Sequence, residues 1–192
     1  MLLPPAFFWA DTNGPDQYNK FMSRFFGPIF QSGYVVEDWE AAARHWIDKL
    51  GVGPFFVLRN VEFSQCLYRG EPTDADVTVA LAFSGEHQIE LVQQHNVAPS
   101  IYTDFLERSP YGLQHVGALT NDLDLALDSH GLRDRRIQWG ETAAGQKFAY
   151  VDTVLTEGTM LELIEADRDM LDAFAHMRRA AADWDGSKPI RG

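Results

Sequence analysis

The sequence predicts an α+β fold in which two β-α-β-β-β modules follow one another, framed by an aromatic N-terminal arm and a C-terminal helix. Three observations predict it. Ile29-Phe30-Gln31-Ser32-Gly33-Tyr34-Val35-Val36-Glu37-Asp38 and Leu113-Gln114-His115-Val116-Gly117-Ala118-Leu119-Thr120-Asn121-Asp122 share one pattern: a polar, metal-capable residue, a glycine two positions later, an apolar run, then an aspartate opening a helix. Gln31 aligns with His115, Gly33 with Gly117 and Asp38 with Asp122. The halves also close alike, Ile89-Glu90-Leu91-Val92-Gln93 matching Leu161-Glu162-Leu163-Ile164-Glu165. Within each half, strand-like alternation gives way to helical spacing and then returns. A repeat that agrees at both ends marks a duplicated supersecondary unit.

Residues 1–28 form the arm, with Phe7, Phe8, Trp9, Tyr18, Phe21, Phe25 and Phe26 set among Pro, Gly, Asp and Asn. Such an arm packs as a lid over its own core, closes a pocket or crosses to a second subunit.

The first module spans 29–93. Ile29 to Val36 is short, β-branched and aromatic, and reads as a strand. Asp38 is a good N-cap, Trp39, Ala42, Ala43, Trp46 and Leu50 fall at helical spacing, and Gly51 supplies a left-handed C-terminal residue, giving a helix of about 12 residues. Gly51-Val52-Gly53-Pro54 is a turn, not a phosphate loop, because it follows a helix and lacks a third glycine. Three strand segments follow: Phe55 to Leu58 with Phe63 to Arg69, Val77 to Ser84, and Gln88 to Gln93.

Residues 94–112 read as a connector carrying a short helix from Ser100 to Glu107. The second module spans 113–166. It opens with a strand from Leu113 to Leu119 and a helix capped by Asp122 that stops at His130-Gly131. Strands are expected at Arg136 to Trp139, Lys147 to Leu155 and Thr159 to Glu165, with Glu157-Gly158 turning the last two. In the tail, 167–192, Leu171, Phe174, Met177 or Ala181, and Trp184 lie at helical spacing and predict a docking helix.

Composition narrows the function. A chain of 192 residues that is 45% hydrophobic can bury a sizeable core. Its net charge of -12, from 28 acidic and 16 basic residues, argues against nucleic acid and anionic membranes as partners. No apolar stretch approaches the roughly 20 residues that span a bilayer. Met1 to Ala10 lacks a basic n-region and is broken by two prolines, so it is not read as a signal peptide. The single cysteine, Cys66, makes no internal disulfide and reads as a buried apolar thiol in a cytoplasmic protein.

Four positions carry the chemistry. Gln31 and His115 open the two modules, and Glu90 and Glu162 lie in their closing strands, each among apolar neighbours. A buried carboxylate is costly unless paired, protonated or bound to a metal. Two carboxylates, an imidazole and an amide oxygen make a hard, mostly oxygen ligand set suited to an octahedral divalent ion such as Zn, Ni, Co, Mn or Mg. Gln88 shares the Glu90 face by the two-residue period, whereas His87 points away. His45, His95, His130 and His176 fall in helices or loops and read as surface residues. Trp39, Trp46 and Trp139 read as core, with Trp139, Phe148 and Tyr150 also candidate pocket walls.

This pattern, over roughly residues 29–165, resembles the vicinal oxygen chelate superfamily, which includes glyoxalase I, methylmalonyl-CoA epimerase, extradiol dioxygenases and bleomycin-resistance proteins. The resemblance implies a cupped mixed sheet built from two βαβββ modules, a metal held by Gln31, Glu90, His115 and Glu162, and a homodimer. The order Gln, Glu, His, Glu is similar to that of some glyoxalase I enzymes. Ring cleavage on non-haem iron uses two histidines and a carboxylate, and Gln31 removes one of them. The resemblance therefore favours a lyase or isomerase acting on a small carbonyl compound, in which a metal-stabilised enediolate forms and Glu162, with Glu90 as counterpart, moves the proton. A metal-free binding or sequestering protein on the same fold is the alternative, with a ring-cleaving dioxygenase behind it.

Overall fold

The structure, a computed structural model, describes residues 25–192; residues 1–24, most of the predicted arm, lie outside the described residues. Among the described residues, eleven strands form one mixed sheet: β1 (Ile29–Val35), β2 (Phe55–Leu58), β3 (Phe63–Tyr68), β4 (Glu71–Pro72), β5 (Val77–Ser84), β6 (His87–Gln94), β7 (Gly112–Thr120), β8 (Arg136–Thr142), β9 (Lys147–Val151), β10 (Met160–Glu165) and β11 (Ile190–Arg191). Their order is β11-β2-β5-β6-β1-β7-β10-β9-β8-β3-β4. The helices are α1 (Trp39–Leu50), α2 (Ile101–Arg108), α3 (Leu123–Ser129), α4 (Val154–Glu157) and α5 (Arg168–Ala182).

The duplication is visible in this order. β1-β6-β5-β2 and β7-β10-β9-β8 run outward from the middle in the same sequence, and β1 pairs antiparallel with β7 to join them. In each half the opening strand lies parallel to the closing one, β1 beside β6 and β7 beside β10. Parallel neighbours need a crossover, which α1 and α3 begin.

Alternation assigns the faces. On β6, Ile89 and Leu91 pack outward beneath α1 with Phe55, Ala80 and Ala82. On β10, Leu161 and Leu163 pack outward beneath α3 with Leu123, Ala126 and Leu127. The intervening residues therefore face inward. α1 begins at Asp38, whose carboxylate accepts from Glu40 and Ala41 N–H at 2.9 and 3.0 Å, and ends at Gly51 with φ 66°.

Four parts of the sequence reading change. Phe55 to Arg69 is two strands on opposite sides of the molecule: β2 stays in the first half, while β3 pairs antiparallel with β8 of the second. Residues 59–62 alone connect them, so the two sides of the sheet lie within about 17 Å there, and the sheet is curled into a cup. The expected strand through Leu155 stops at Val151 and becomes α4. The 94–112 segment is more than a connector, because Ile101 and Tyr102 of α2 are buried inside the cup with Val35, Val77, Val92 and Tyr150. Finally, the tail continues past its helix into β11, which pairs parallel with β2.

α5 is an inner-face element. Phe174, with Met170, Leu171 and Met177, packs on Leu81, Phe83 and Ile164. Leu81 and Phe83 alternate with the outward Ala80 and Ala82, and Ile164 shares its face with Glu162. α2 and α5 thus cover different parts of the same concave surface. None of the described helices is long and apolar enough to cross a membrane.

Asp38→Ala is expected to cost about 1 kcal/mol of stability by removing the N-cap of α1, read from the midpoint of chemical denaturation.

Candidate metal centre

The centre of the sheet has a steric problem that glycine solves. Gln31 pairs directly with Gly117, and Gly33 with His115. A Cβ on Gly33 would lie 1.9 Å from His115 Cε1, and one on Gly117 would lie 2.2 Å from Gln31 Oε1. Each module's glycine thus vacates the space that the other module's polar residue fills. The repeated spacing read in the sequence is this reciprocal fit.

Around that crossing stand the two glutamates. Glu90 on β6 pairs with Gly33, and Glu162 on β10 pairs with Gly117, so each carboxylate rises one strand away from a vacated position. Ligand-capable atoms of Glu90, His115 and Glu162 all lie within 4.8 Å of one another, and all three residues are buried. His115 Nε2 is 2.8 Å from Glu90 Oε2 and 3.5 Å from Glu162 Oε2. Gln31 Oε1 sits over Gly117, on the Glu162 side.

Two side chains hold the ligand-bearing groups from behind. His115 Nδ1 bonds Gln114 Oε1 at 2.7 Å, and because that oxygen only accepts, Nδ1 carries the proton and Nε2 faces the carboxylates. Gln31 Nε2 donates to Gln88 Oε1 at 2.8 Å. The Tyr150 ring meets His115 edge-on at 5.1 Å, and its hydroxyl bonds that of Tyr102 at 3.1 Å.

The electrostatics follow from burial. Desolvation acts to lower the His115 pKa, but the Glu162 and Glu90 carboxylates outweigh it and push it up to about 10. Both carboxylates stand within reach of Nε2, Glu90 at 2.8 Å in full hydrogen-bonding geometry and Glu162 at 3.5 Å. Burial raises the Glu90 pKa while His115 pulls the other way. Burial also drives the Tyr102 and Tyr150 hydroxyls well above the usual phenol range. Cys66 is buried, its thiol pushed up to about 11 by desolvation.

The side chains present fit a divalent ion. Gln31 Oε1 is a buried acceptor that no donor meets, and Glu162 Oε2 accepts no hydrogen bond and has only the His115 ring, 3.5 Å away, as counter-charge; a buried acceptor so placed is costly unless a cation meets it. Glu90, His115 Nε2 and Glu162 together offer a mixed nitrogen and oxygen donor set of the kind Zn, Ni, Co or Mn accepts.

The two-residue period puts Gln88 on the Glu90 face, and both are buried, while Phe148 and Tyr150, the candidate pocket walls, lie inside the cup. The same period puts Gln114 on the opposite face from His115, yet the two bond. The register of β1 and β7 shifts between Gly33 and Tyr34, so the period of two breaks at this point. Trp139 is not a pocket wall: it packs under α3 on the outer face, with the Arg136 guanidinium 4.1 Å above its ring. His45, His95 and His176 are exposed and His130 packs against Phe25 and Phe26, away from the centre. A cavity of about 560 Å³ lies elsewhere, between α5, the turn after α1 and the β5–β6 turn, and its wall includes none of Glu90, His115 and Glu162.

A family model described as Glyoxalase/Bleomycin resistance protein/Dioxygenase superfamily matches residues 30–150. No curated protein matches the chain. Among solved structures, a methylmalonyl-CoA epimerase from Mycobacterium tuberculosis is 20% identical, with a TM-score of 0.52 over 74% of this chain and 90% of that one. A hypothetical protein from Bacillus halodurans C-125 is 15% identical, with a TM-score of 0.54 over 72% and 94%. A second methylmalonyl-CoA epimerase, as its selenomethionine form, is 16% identical with a TM-score of 0.50 over 76% and 99%. At these identities the likeness is one of fold.

Two outcomes are expected. Gly33→Ala drives a methyl group into the His115 ring and should destabilise the protein by about 1–3 kcal/mol or more, seen as a lowered denaturation midpoint. The second concerns pH. The folded His115 pKa lies above its unfolded value near 6.5, so its contribution is complete below that pH and lost as pH rises through about 10. Chelator-treated protein should therefore melt at progressively lower temperature from pH 6.5 to 10.

Proposed function

This chain belongs to the Glyoxalase/Bleomycin resistance protein/Dioxygenase superfamily, and on that premise we propose that it is a metal-dependent lyase or isomerase of glyoxalase or epimerase type, moving a proton next to the carbonyl of a small molecule. In this reading Gln31, Glu90, His115 and Glu162 hold the ion. The observation that carries it is the buried Glu90–His115–Glu162 cluster, whose ligand-capable atoms lie within 4.8 Å of one another, with Gln31 Oε1 a buried acceptor that no donor meets. All four residues come from one chain, so a homodimer, as the family resemblance implies, would contain two complete centres.

When bound, a divalent ion supplies Lewis-acid polarisation of a substrate oxygen. The remaining work falls to the side chains. Glu162 is the proton-moving group, as the resemblance to glyoxalase I implies, since it lies 3.5 Å from His115 Nε2 whereas Glu90 is tied to it at 2.8 Å. Gln114 keeps the His115 ring turned so that Nε2 faces inward. The surrounding Val35, Val92, Phe148 and Met160 exclude water, and a dry site strengthens each of these electrostatic contacts. His115 has no solvent exposure, whereas Glu90 and Glu162 beside it retain 7% and 5%, so the two carboxylates are the part of the cluster that a small molecule meets first.

A second reading, a metal-free binding protein on the same fold, is favoured by one observation: the His115–Glu90 bond satisfies both groups without an ion. Metal analysis separates the two. Protein purified without chelator should carry about one divalent ion per chain, and chelation should lower its melting temperature by linkage. Absence of uptake with zinc, manganese, nickel and cobalt alike would leave the binding protein. For the enzyme, Glu162→Gln should keep the ion yet lose α-proton exchange with deuterated solvent across a panel of small 2-oxo and 2-hydroxy carbonyl compounds. Unchanged exchange in that variant removes Glu162 as the base.

A further inference from the structure

We propose that Gln88 is a positioning residue that turns the carbonyl of Gln31 toward the metal. This rests on the reading of Gln31 as a ligand. A carboxamide is two-faced: its oxygen can bind a cation, and its NH2 group, which only donates, cannot. Which end of Gln31 faces the centre therefore decides whether it is a ligand at all.

The geometry points to Gln88 as what decides. Gln31 and Gln88 are direct partners on the parallel strands β1 and β6, and both are buried, Gln88 completely. Gln31 Nε2 donates to Gln88 Oε1 at 2.8 Å. With its nitrogen held on the β6 side, Gln31 Oε1 is left over Gly117, and it accepts no hydrogen bond. Without the acceptor on Gln88, an inward carbonyl would strand the Gln31 NH2 group without a partner in the interior, and the amide would be freer to turn. Gln88 itself points its spare Nε2 at no partner, so its acceptor oxygen is the part in use. Partners one step behind a ligand orient it in this way and typically tune metal affinity.

A double-mutant cycle on the full chain tests this, read as zinc affinity by titration calorimetry and not as turnover. Gln88→Met keeps the length of the side chain and removes the acceptor, and should weaken zinc binding about tenfold or more. Gln31→Glu replaces the amide with a carboxylate whose two oxygens are equivalent and need no orienting partner. In that background Gln88→Met should change zinc affinity by no more than about twofold. An equal loss in both backgrounds, or no loss with Gln31 present, overturns the role of Gln88 while leaving the metal centre standing. Wild-type protein that takes up no zinc or manganese overturns both. Should Gln88→Met not fold, the wild-type side-chain resonances give the answer. Zinc should shift the Gln31 carboxamide carbon while one Gln31 amide proton stays protected by Gln88; loss of that protection on zinc addition overturns the proposal.

Discussion

Burying three ionisable groups at the crossing of two modules is the constraint on which the rest depends. Glu90, His115 and Glu162 are held out of water within 4.8 Å of one another, and isolated charges in such a place would cost several kcal/mol each. The fold meets that cost by drawing opposite charges together: His115 takes up a proton that it would release at neutral pH in water, with its two ring nitrogens facing Gln114 and Glu90. Every nearby arrangement serves this cluster. The glycines open room for it, the curled sheet surrounds it, and Tyr102 and Tyr150 close over it.

The remaining imbalance gives the site its character. Were the cluster purely structural, its polar atoms would be paired throughout, because a buried network that is only partly satisfied is worse than an apolar core. Glu90 is satisfied and Glu162 Oε2 is not; Gln31 is satisfied through nitrogen and not through oxygen. Of the unmet atoms, the two on proposed ligands, Gln31 Oε1 and Glu162 Oε2, are acceptors, while Gln88 Nε2 behind Gln31 is a donor left without a partner. A cation is the complement of those two acceptors, and the direct His115–Glu90 bond is what it would have to displace.

Much of this could be read from the sequence because the chain states it twice. A glutamine in one strand is weak evidence, but Gln31 aligned with His115, and Glu90 aligned with Glu162, made four inner positions that the alternation of β1, β6, β7 and β10 then placed on one face. The cap at Asp38 and the turn at Gly51 were local and equally plain. What stayed hidden was long-range or irregular. That β3 pairs with β8 rather than β2 is a contact between distant segments, which no local period encodes. The burial of Tyr102 depends on where α2 docks. Gln114 escaped because a register shift breaks the alternation next to the residue it supports. Trp139 went to the wrong face by size alone, since a large aromatic suits either an inner wall or the underside of a helix.

The last residues of the chain alter what kind of cover α5 can be. The helix leaves the sheet directly from β10, and after it Trp184 packs against Gly53 and Ile190 and Arg191 join β2 at the sheet's far side. A tail fixed only at its start swings like a door. This one is fastened at both ends to opposite halves of the same sheet, like the handle of a bucket, so it rises only as a loop or after β11 unzips. The cover that α5 gives to Leu81, Phe83 and Ile164 is then tied, through a two-residue strand pairing, to the stability of the sheet's outermost edge.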